Sequence, residues 1–144
     1  MTETGGRVGE GRVRTVRLPW DPKSVPQMRR ALRADLEARS ITEQVISESE
    51  MVVSELVANS IRHARPLPDG SVRVHWKVKG NQVEVEVTDG GGASTPQPLP
   101  RATWVSAGRG LRIVRSLAHE WGVNDGEGTR TVWAAMGGPS RRRV

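Results

Sequence analysis

The chain has 144 residues, enough for one domain with a single core, and its 35% hydrophobic and 26% charged residues are too polar for a membrane protein and too balanced for a disordered one. It contains no cysteine, which excludes a disulfide framework, a thiol nucleophile and a cysteine-ligated metal site. The net charge of +6 includes +2 from residues 1–19 and +3 from residues 137–144, so the body between them is nearly neutral and direct nucleic-acid binding is not expected. A cytoplasmic protein without signal peptide or membrane span is predicted.

The ends of the chain differ in composition from its centre. Glycine-rich residues 1–11 are expected to form a flexible leader, residues 12–136 the folded domain, and residues 137–144 a basic tail. At the start of the domain, alternating side chains over residues 13–18 predict a short edge strand that ends at Pro19.

Two helices are predicted next. Apolar residues at helical spacing indicate a first helix over about residues 25–39, which Asp21 or Ser24 can cap. The run Ser40-Ile41-Thr42-Glu43 has the form of a capping box, with serine followed three residues later by glutamate. It predicts a second, longer helix that ends at about Ala64, two residues before a proline.

Strand patterns and one long loop follow. Three valines and Trp76 alternate with polar residues over 72–78, and valines do so again over 83–87, which predicts a β-hairpin with one buried face. Residues 88–107 form a glycine- and proline-rich segment of the kind that is often functional. The remaining predicted elements are a helix and two strands, over residues 108–119, 120–124 and 129–135. This order predicts an α/β fold, an α+β two-layer sandwich in which a mixed, mostly antiparallel sheet carries its helices on one face.

The second helix carries the first candidate site. Glu55 and Asn59 lie four residues apart on the flank of its apolar stripe, so they share one face. A carboxylate and a carboxamide placed in this way can hold a hydrated Mg²⁺ and position a water or hydroxyl for deprotonation. A solvated polar edge of an amphipathic helix is the alternative interpretation.

Two glycine-rich segments form the other candidate sites. Asp89 ends a predicted strand and precedes three glycines, so its carboxylate can accept hydrogen bonds from a ligand that approaches the backbone closely. The run Gly108-Arg109-Gly110-Leu111 leads into a helix, where backbone N–H groups favour phosphate. Taken separately, the first segment is also typical of an ordinary turn and the second of a hinge.

Together these segments have an order that resembles the GHKL ATPase superfamily, which includes gyrase, histidine kinases, and mismatch-repair and chaperone ATPases. Residues 55–59 look like its N box, residues 89–91 like its first glycine box, and residues 108–110 like its second. The texts Ser-Glu-Leu-Val-Ala-Asn-Ser-Ile-Arg-His-Ala at 54–64 and Gly-Arg-Gly-Leu-Arg-Ile-Val at 108–114 are most similar to anti-sigma-factor serine kinases of actinobacterial type. The resemblance covers roughly residues 13–135 and implies a Bergerat ATP-binding fold for the domain.

The resemblance implies a role for each matching residue at the phosphate end of ATP. Asn59 would ligate the Mg²⁺ that bridges the phosphates, and Glu55 would be the general base near the γ-phosphate. The residues expected around the phosphates from the loop side are Gly108, Arg109 and Gly110.

It also implies an adenine end. Asp89 would accept the adenine amino group, Gly91 would let the backbone close on the base, and Thr131 matches a family threonine near adenine. The family commonly has a second glycine two residues beyond Gly91, where this chain has Ala93.

Two functions remain open from the sequence. One is an ATP-dependent serine/threonine kinase that binds a sigma factor or phosphorylates an anti-sigma-factor antagonist, with ATP and Mg²⁺ as cofactors. The other is a catalytically silent, nucleotide-gated interaction module. Relatives commonly form homodimers, whereas the sequence carries no motif that names the partner.

Overall fold

Six strands form one sheet in the computed structural model, which describes residues 2–8, 11–92 and 111–138. Each strand pairs with its neighbours in antiparallel orientation. In spatial order the strands are β1 (Thr2–Val8), β2 (Gly11–Pro19), β3 (Ser71–Lys79), β4 (Gln82–Asp89), β6 (Thr129–Met136) and β5 (Glu120–Gly126).

The described helices are α1 (Ser24–Ala38), α2 (Glu43–His63) and α3 (Leu111–Leu117). Helix α2 lies on the centre of the sheet, where it contacts β3, β4 and β6, while α1 and α3 pack on either side of it. This arrangement confirms the predicted α/β fold with a predominantly antiparallel sheet. None of the described helices is long and apolar enough to span a membrane.

The core lies between α2 and the sheet. Strand register aligns Val16, Val74, Val87 and Val132 in one row across four strands, and all four are at most 3% exposed. The stripe on α2 that faces them includes residues 52, 53, 56 and 57, as helical spacing predicts. Since burying one such side chain contributes about 1.5–3 kcal/mol, this contact holds the helix firmly on β4.

The N-terminal residues differ from the prediction. Thr2–Val8 forms a strand that pairs with β2 along its length, where the sequence predicts a flexible leader. The strand that ends at Pro19 is therefore longer than predicted and is not an edge. The edge of β2 presents backbone N–H and C=O groups that need partners, and β1 supplies them.

The predicted caps are also wrong. Thr42, not Ser40, is the N-cap of α2, and Ser40 adopts a left-handed conformation with φ 61° in the turn after α1. The Thr42 N–H donates to Asn81 Oδ1 at 2.9 Å, and Asn81 Nδ2 donates to Thr42 Oγ1 at 3.1 Å. Asp21 accepts the N–H of the residue before α1, and the Ser24 hydroxyl donates to the Pro19 carbonyl, so they shape the preceding turn instead of capping the helix.

Candidate nucleotide-binding site

Asn59 lies on α2 with only 4% of its surface exposed. Neither its Oδ1 nor its Nδ2 has a hydrogen-bond partner among the described residues. Leaving a buried polar group unpaired costs about 1–3 kcal/mol, so such groups often mark a place where a ligand supplies the partner. Glu55, one helical turn earlier, is half-buried, and its side chain makes no hydrogen bond or ion pair within the described part of the chain. The pair therefore has the free oxygens that a magnesium–phosphate group requires.

Asp89 lies at the end of β4, only 1% exposed, with its carboxylate fixed by two donors. The Ser60 hydroxyl donates to Oδ2 at 2.6 Å, and the Gly91 N–H donates to Oδ1 at 2.7 Å. Burial raises the pKa of Asp89, while these two hydrogen bonds and the nearby Arg130 charge act in the opposite direction. The result is a buried acceptor whose remaining lone pairs can bind an N–H donor.

The glycine segment after Asp89 is joined to the chain that leaves α2. The Gly90 N–H donates to the Arg65 carbonyl at 2.7 Å, and the Arg65 N–H donates to the Gly91 carbonyl at 3.0 Å. A Cβ at Gly90 would lie 2.2 Å from the Pro66 carbonyl oxygen, so only glycine allows this approach. Gly91 has a different requirement, since its φ of 84° lies in the left-handed region. These contacts bring the end of β4 against the end of the helix that carries Asn59.

Thr131 is not placed beside Asp89. It is the cross-strand partner of Thr88, and their hydroxyls are 2.8 Å apart. Because successive strand residues point to opposite faces, this pair lies on the other side of the sheet from Asp89. Arg130 is the residue directly opposite Asp89, and it is buried, with Nε donating to Asp125 Oδ1 at 2.7 Å.

Sequence reasoning missed Ser60 and Arg130. Ser60 could have been recognised, because it lies 100° further than Asn59 towards the centre of the apolar stripe, where a polar side chain needs a partner. No comparable local signal marks Arg130, since its position depends on strand register.

The predicted phosphate segment, Gly108, Arg109 and Gly110, lies outside the described residues, so its role stays a prediction. The described helix begins immediately after it, and Leu111 and Val114 are fully buried in the core that includes α2. Among the described residues, no group of three or more histidine, aspartate or glutamate side chains could hold a metal. A magnesium ion at Asn59 would therefore take most of its ligands from phosphate and water, as Mg²⁺ commonly does.

Comparison with known proteins decides the family. The sequence model described as "Histidine kinase-like ATPase domain" matches residues 18–136. The chain belongs to this family. The match includes every described residue of the candidate site, and ATP is the ligand that membership in the histidine kinase-like ATPase family implies.

A solved structure has the same fold. It is the crystal structure of the RsbU and RsbW domains of Rv1364c from Mycobacterium tuberculosis, with a TM-score of 0.66 and 21% sequence identity. The match covers 86% of this chain and 32% of that one, so this ATPase domain spans about a third of the solved chain. A search of curated proteins finds no match.

Proposed function

We propose that this histidine kinase-like ATPase domain binds Mg-ATP between α2 and the end of β4, and that it acts as an anti-sigma-factor serine/threonine kinase. The observation that carries the proposal is the buried amide of Asn59, which has no partner in the described part of the chain. The next residue of the same helix hydrogen-bonds the buried Asp89. A packed core does not favour this combination, whereas a nucleotide with a magnesium–phosphate end and a base end satisfies both groups.

At the base end, Asp89 accepts the exocyclic amino group of adenine. Gly91 lets the backbone run close to the base, because it adopts a conformation that a side chain would strain. A buried acceptor discriminates against a ligand that lacks the matching donor, since it is then left unpaired. Selection of ATP over GTP follows from this chemistry.

At the phosphate end, Asn59 supplies an oxygen ligand for Mg²⁺, and the segment Gly108-Arg109-Gly110 surrounds the phosphates. Bound Mg²⁺ would neutralise phosphate charge during transfer. Glu55 takes the proton of the substrate's serine or threonine hydroxyl. As it does so, the hydroxyl oxygen bonds to the γ-phosphorus, and the bond between that phosphorus and the ADP oxygen breaks. Glu55 suits this role because it is half-buried, one turn from Asn59, and free of other partners among the described residues.

The proposed partners are a sigma factor and the antagonist protein that releases it. The motif texts at residues 54–64 and 108–114 support this choice, because they are most similar to anti-sigma-factor kinases. The fold shared with the structure of the RsbU and RsbW domains of Rv1364c also supports it. The proposed regulator acts as a homodimer in the cytoplasm.

A nucleotide-gated interaction module is the second candidate. Ala93 favours it, because the family commonly has a second glycine at this position next to the nucleotide. In this case ATP sets the shape of the domain and no phosphoryl group is transferred.

A phosphoryl-transfer assay with labelled Mg-ATP and candidate antagonist proteins tests the proposed kinase activity. The Glu55→Gln variant should lower phosphoryl transfer by about 10²- to 10⁴-fold, the range typical of losing a general base. Its ATP affinity should change little, because the side chain keeps its shape. Glu48→Gln is the matched control, since Glu48 is also half-buried on α2, two turns earlier. Wild-type protein that binds ATP but transfers nothing to any antagonist would leave the interaction module as the function.

A further inference from the structure

Ser60 differs from the other buried serine of α2 in what its hydroxyl binds. Ser49 donates to the Val45 carbonyl, four residues earlier, at 2.7 Å. Such a bond to the preceding turn is the usual arrangement for serine within a helix. Ser60 instead donates across to Asp89, 29 residues away, in a pair in which both residues are almost fully buried.

The bond fixes a group that must be oriented before a base arrives. The Asp89 carboxylate lies at a strand end, and rotation about its side-chain bonds would change which lone pairs face the site. The Gly91 N–H holds Oδ1, and the Ser60 hydroxyl holds Oδ2. With both oxygens held, each still has a second lone pair for an N–H donor.

We propose that Ser60 is the positioning residue for base recognition, holding the Asp89 carboxylate in the orientation that accepts the exocyclic amino group of adenine. This inference rests on the proposed ATP site and adds a residue to its specificity. Preorganised acceptors bind more tightly because the ligand does not have to order them. Ser60 is also adjacent to Asn59, so one turn of α2 places both the phosphate-binding and the base-orienting side chains.

The charge around Asp89 provides an independent readout. Desolvation raises the pKa of Asp89, and the hydrogen bonds from Ser60 and Gly91 lower it. Arg130 on β6 also lowers this pKa, whereas Asp125 on β5 raises it. Removing the Ser60 hydroxyl deletes one of the three effects that keep the carboxylate ionised. The pKa of Asp89 should therefore be higher in the Ser60→Ala variant. As the pH is lowered, the variant should lose ATP binding at a higher pH than the wild type does.

Calorimetric titration with two nucleotides tests the proposal. Ser60→Ala should weaken Mg-ATP by about tenfold, the order expected for a hydrogen bond to a charged group. It should weaken purine riboside triphosphate, which lacks the exocyclic amino group, much less. Ser60→Thr keeps the hydroxyl and should recover most of the ATP affinity. Ser49→Ala is the matched control, because it removes a buried hydroxyl from the same helix without touching Asp89.

The outcomes separate this inference from the proposed function. Wild-type protein that does not bind Mg-ATP would refute the proposed function and the inference with it. Two other outcomes would refute only the role of Ser60 if the wild type binds ATP. In the first, Ser60→Ala weakens the binding of both nucleotides equally. In the second, Ser60→Ala leaves unchanged the pH at which half of the ATP binding is lost. In an Asp89→Asn background, Ser60→Ala should cause little further loss, because the carboxylate that it orients is gone.

Discussion

Asp89 links the stability of the fold to pH, because its carboxylate is buried where a ligand must be recognised. Burial raises its pKa above the unfolded value of about 3.9. Between the unfolded and folded pKa values the native state binds more protons than the unfolded state, so the contribution of Asp89 to stability falls as pH rises through this window. Below the unfolded pKa, Asp89 makes its full contribution to stability, and above the folded pKa that contribution is lost.

The Asp89→Asn variant should therefore gain stability relative to wild type as pH is raised from about 4 to 7, because asparagine does not ionise. Urea unfolding at the two pH values measures this difference. The same variant should lose the selection of ATP over GTP, which in the wild type should be at least about tenfold, or roughly 1.4 kcal/mol. A stability difference that does not change with pH, or equal binding of the two nucleotides by the wild type, would contradict these roles.

Residue chemistry was predictable where it followed from local spacing. Asn59 is buried on the flank of its helix and Asp89 ends its strand, as the apolar periodicity of α2 and the valine alternation of β4 require. The face on which Thr131 lies depends on the register between β4 and β6, so its predicted role near adenine stays a prediction. The same register places Arg130 opposite Asp89. Cross-strand partners this far apart in the chain leave no local pattern in the sequence.

Among the elements, the connection between α2 and the end of β4 leaves no room for a side chain at Gly90. Gly90→Ala places a methyl group against the Pro66 carbonyl, so it should destabilise the fold by about 1–3 kcal/mol, as overpacking usually does. It should also weaken ATP binding, since it separates Asp89 from the end of α2. Urea unfolding and calorimetry measure the two effects.

Gly92→Ala is the matched control for this substitution. A Cβ at Gly92 meets nothing within 4 Å, and its φ is not in the left-handed region. Its stability should stay within about 0.5 kcal/mol of the wild type. If the two variants are equally stable, the close approach at Gly90 does not constrain the fold.

Element boundaries were predicted well where periodicity was long. Helix α2 and the β3–β4 hairpin follow the expected spans, because twenty-one residues of helical spacing and two alternating valine runs leave little choice. The start of α2 was predicted incorrectly, since the partner of Thr42 is Asn81, 39 residues away. Strand β1 was missed because glycines reduce the local strand preference of residues 2–8, whereas pairing with β2 is a tertiary interaction.

For the whole molecule, binding of Mg-ATP should raise the unfolding temperature, because the ligand binds only the folded state. At a concentration one hundred times the dissociation constant the added stability is about 2.7 kcal/mol. Asn59→Ala should remove most of this gain without lowering the stability of the free protein by more than about 1 kcal/mol, since no described hydrogen bond is lost. Thermal unfolding with ATP, in the presence and absence of Mg²⁺, measures both quantities.

Asn81→Ala separates stability from binding in the same experiment. Asn81 is exposed on the β3–β4 turn, and its amide makes both hydrogen bonds to Thr42. The variant should be less stable than the wild type and still gain the full increment from Mg-ATP. If the Asn59→Ala variant gains as much stability from Mg-ATP as the wild type does, the Asn59 amide does not bind the metal.

Helix α2 is fastened to one hairpin at both of its ends. Asn81 of the β3–β4 turn binds the residue that begins α2, and the glycines after β4 bind the residues that follow it. The helix therefore cannot fray from either end without breaking a contact with the hairpin. In hydrogen exchange, the inner amides of α2 and β4 should open together as one cooperative unit, while β5, on the far edge of the sheet, exchanges independently. A ligand held between α2 and β4 would slow exchange throughout this unit. Binding at one end of the helix would therefore also slow amide exchange at the Asn81 turn, which lies at its other end.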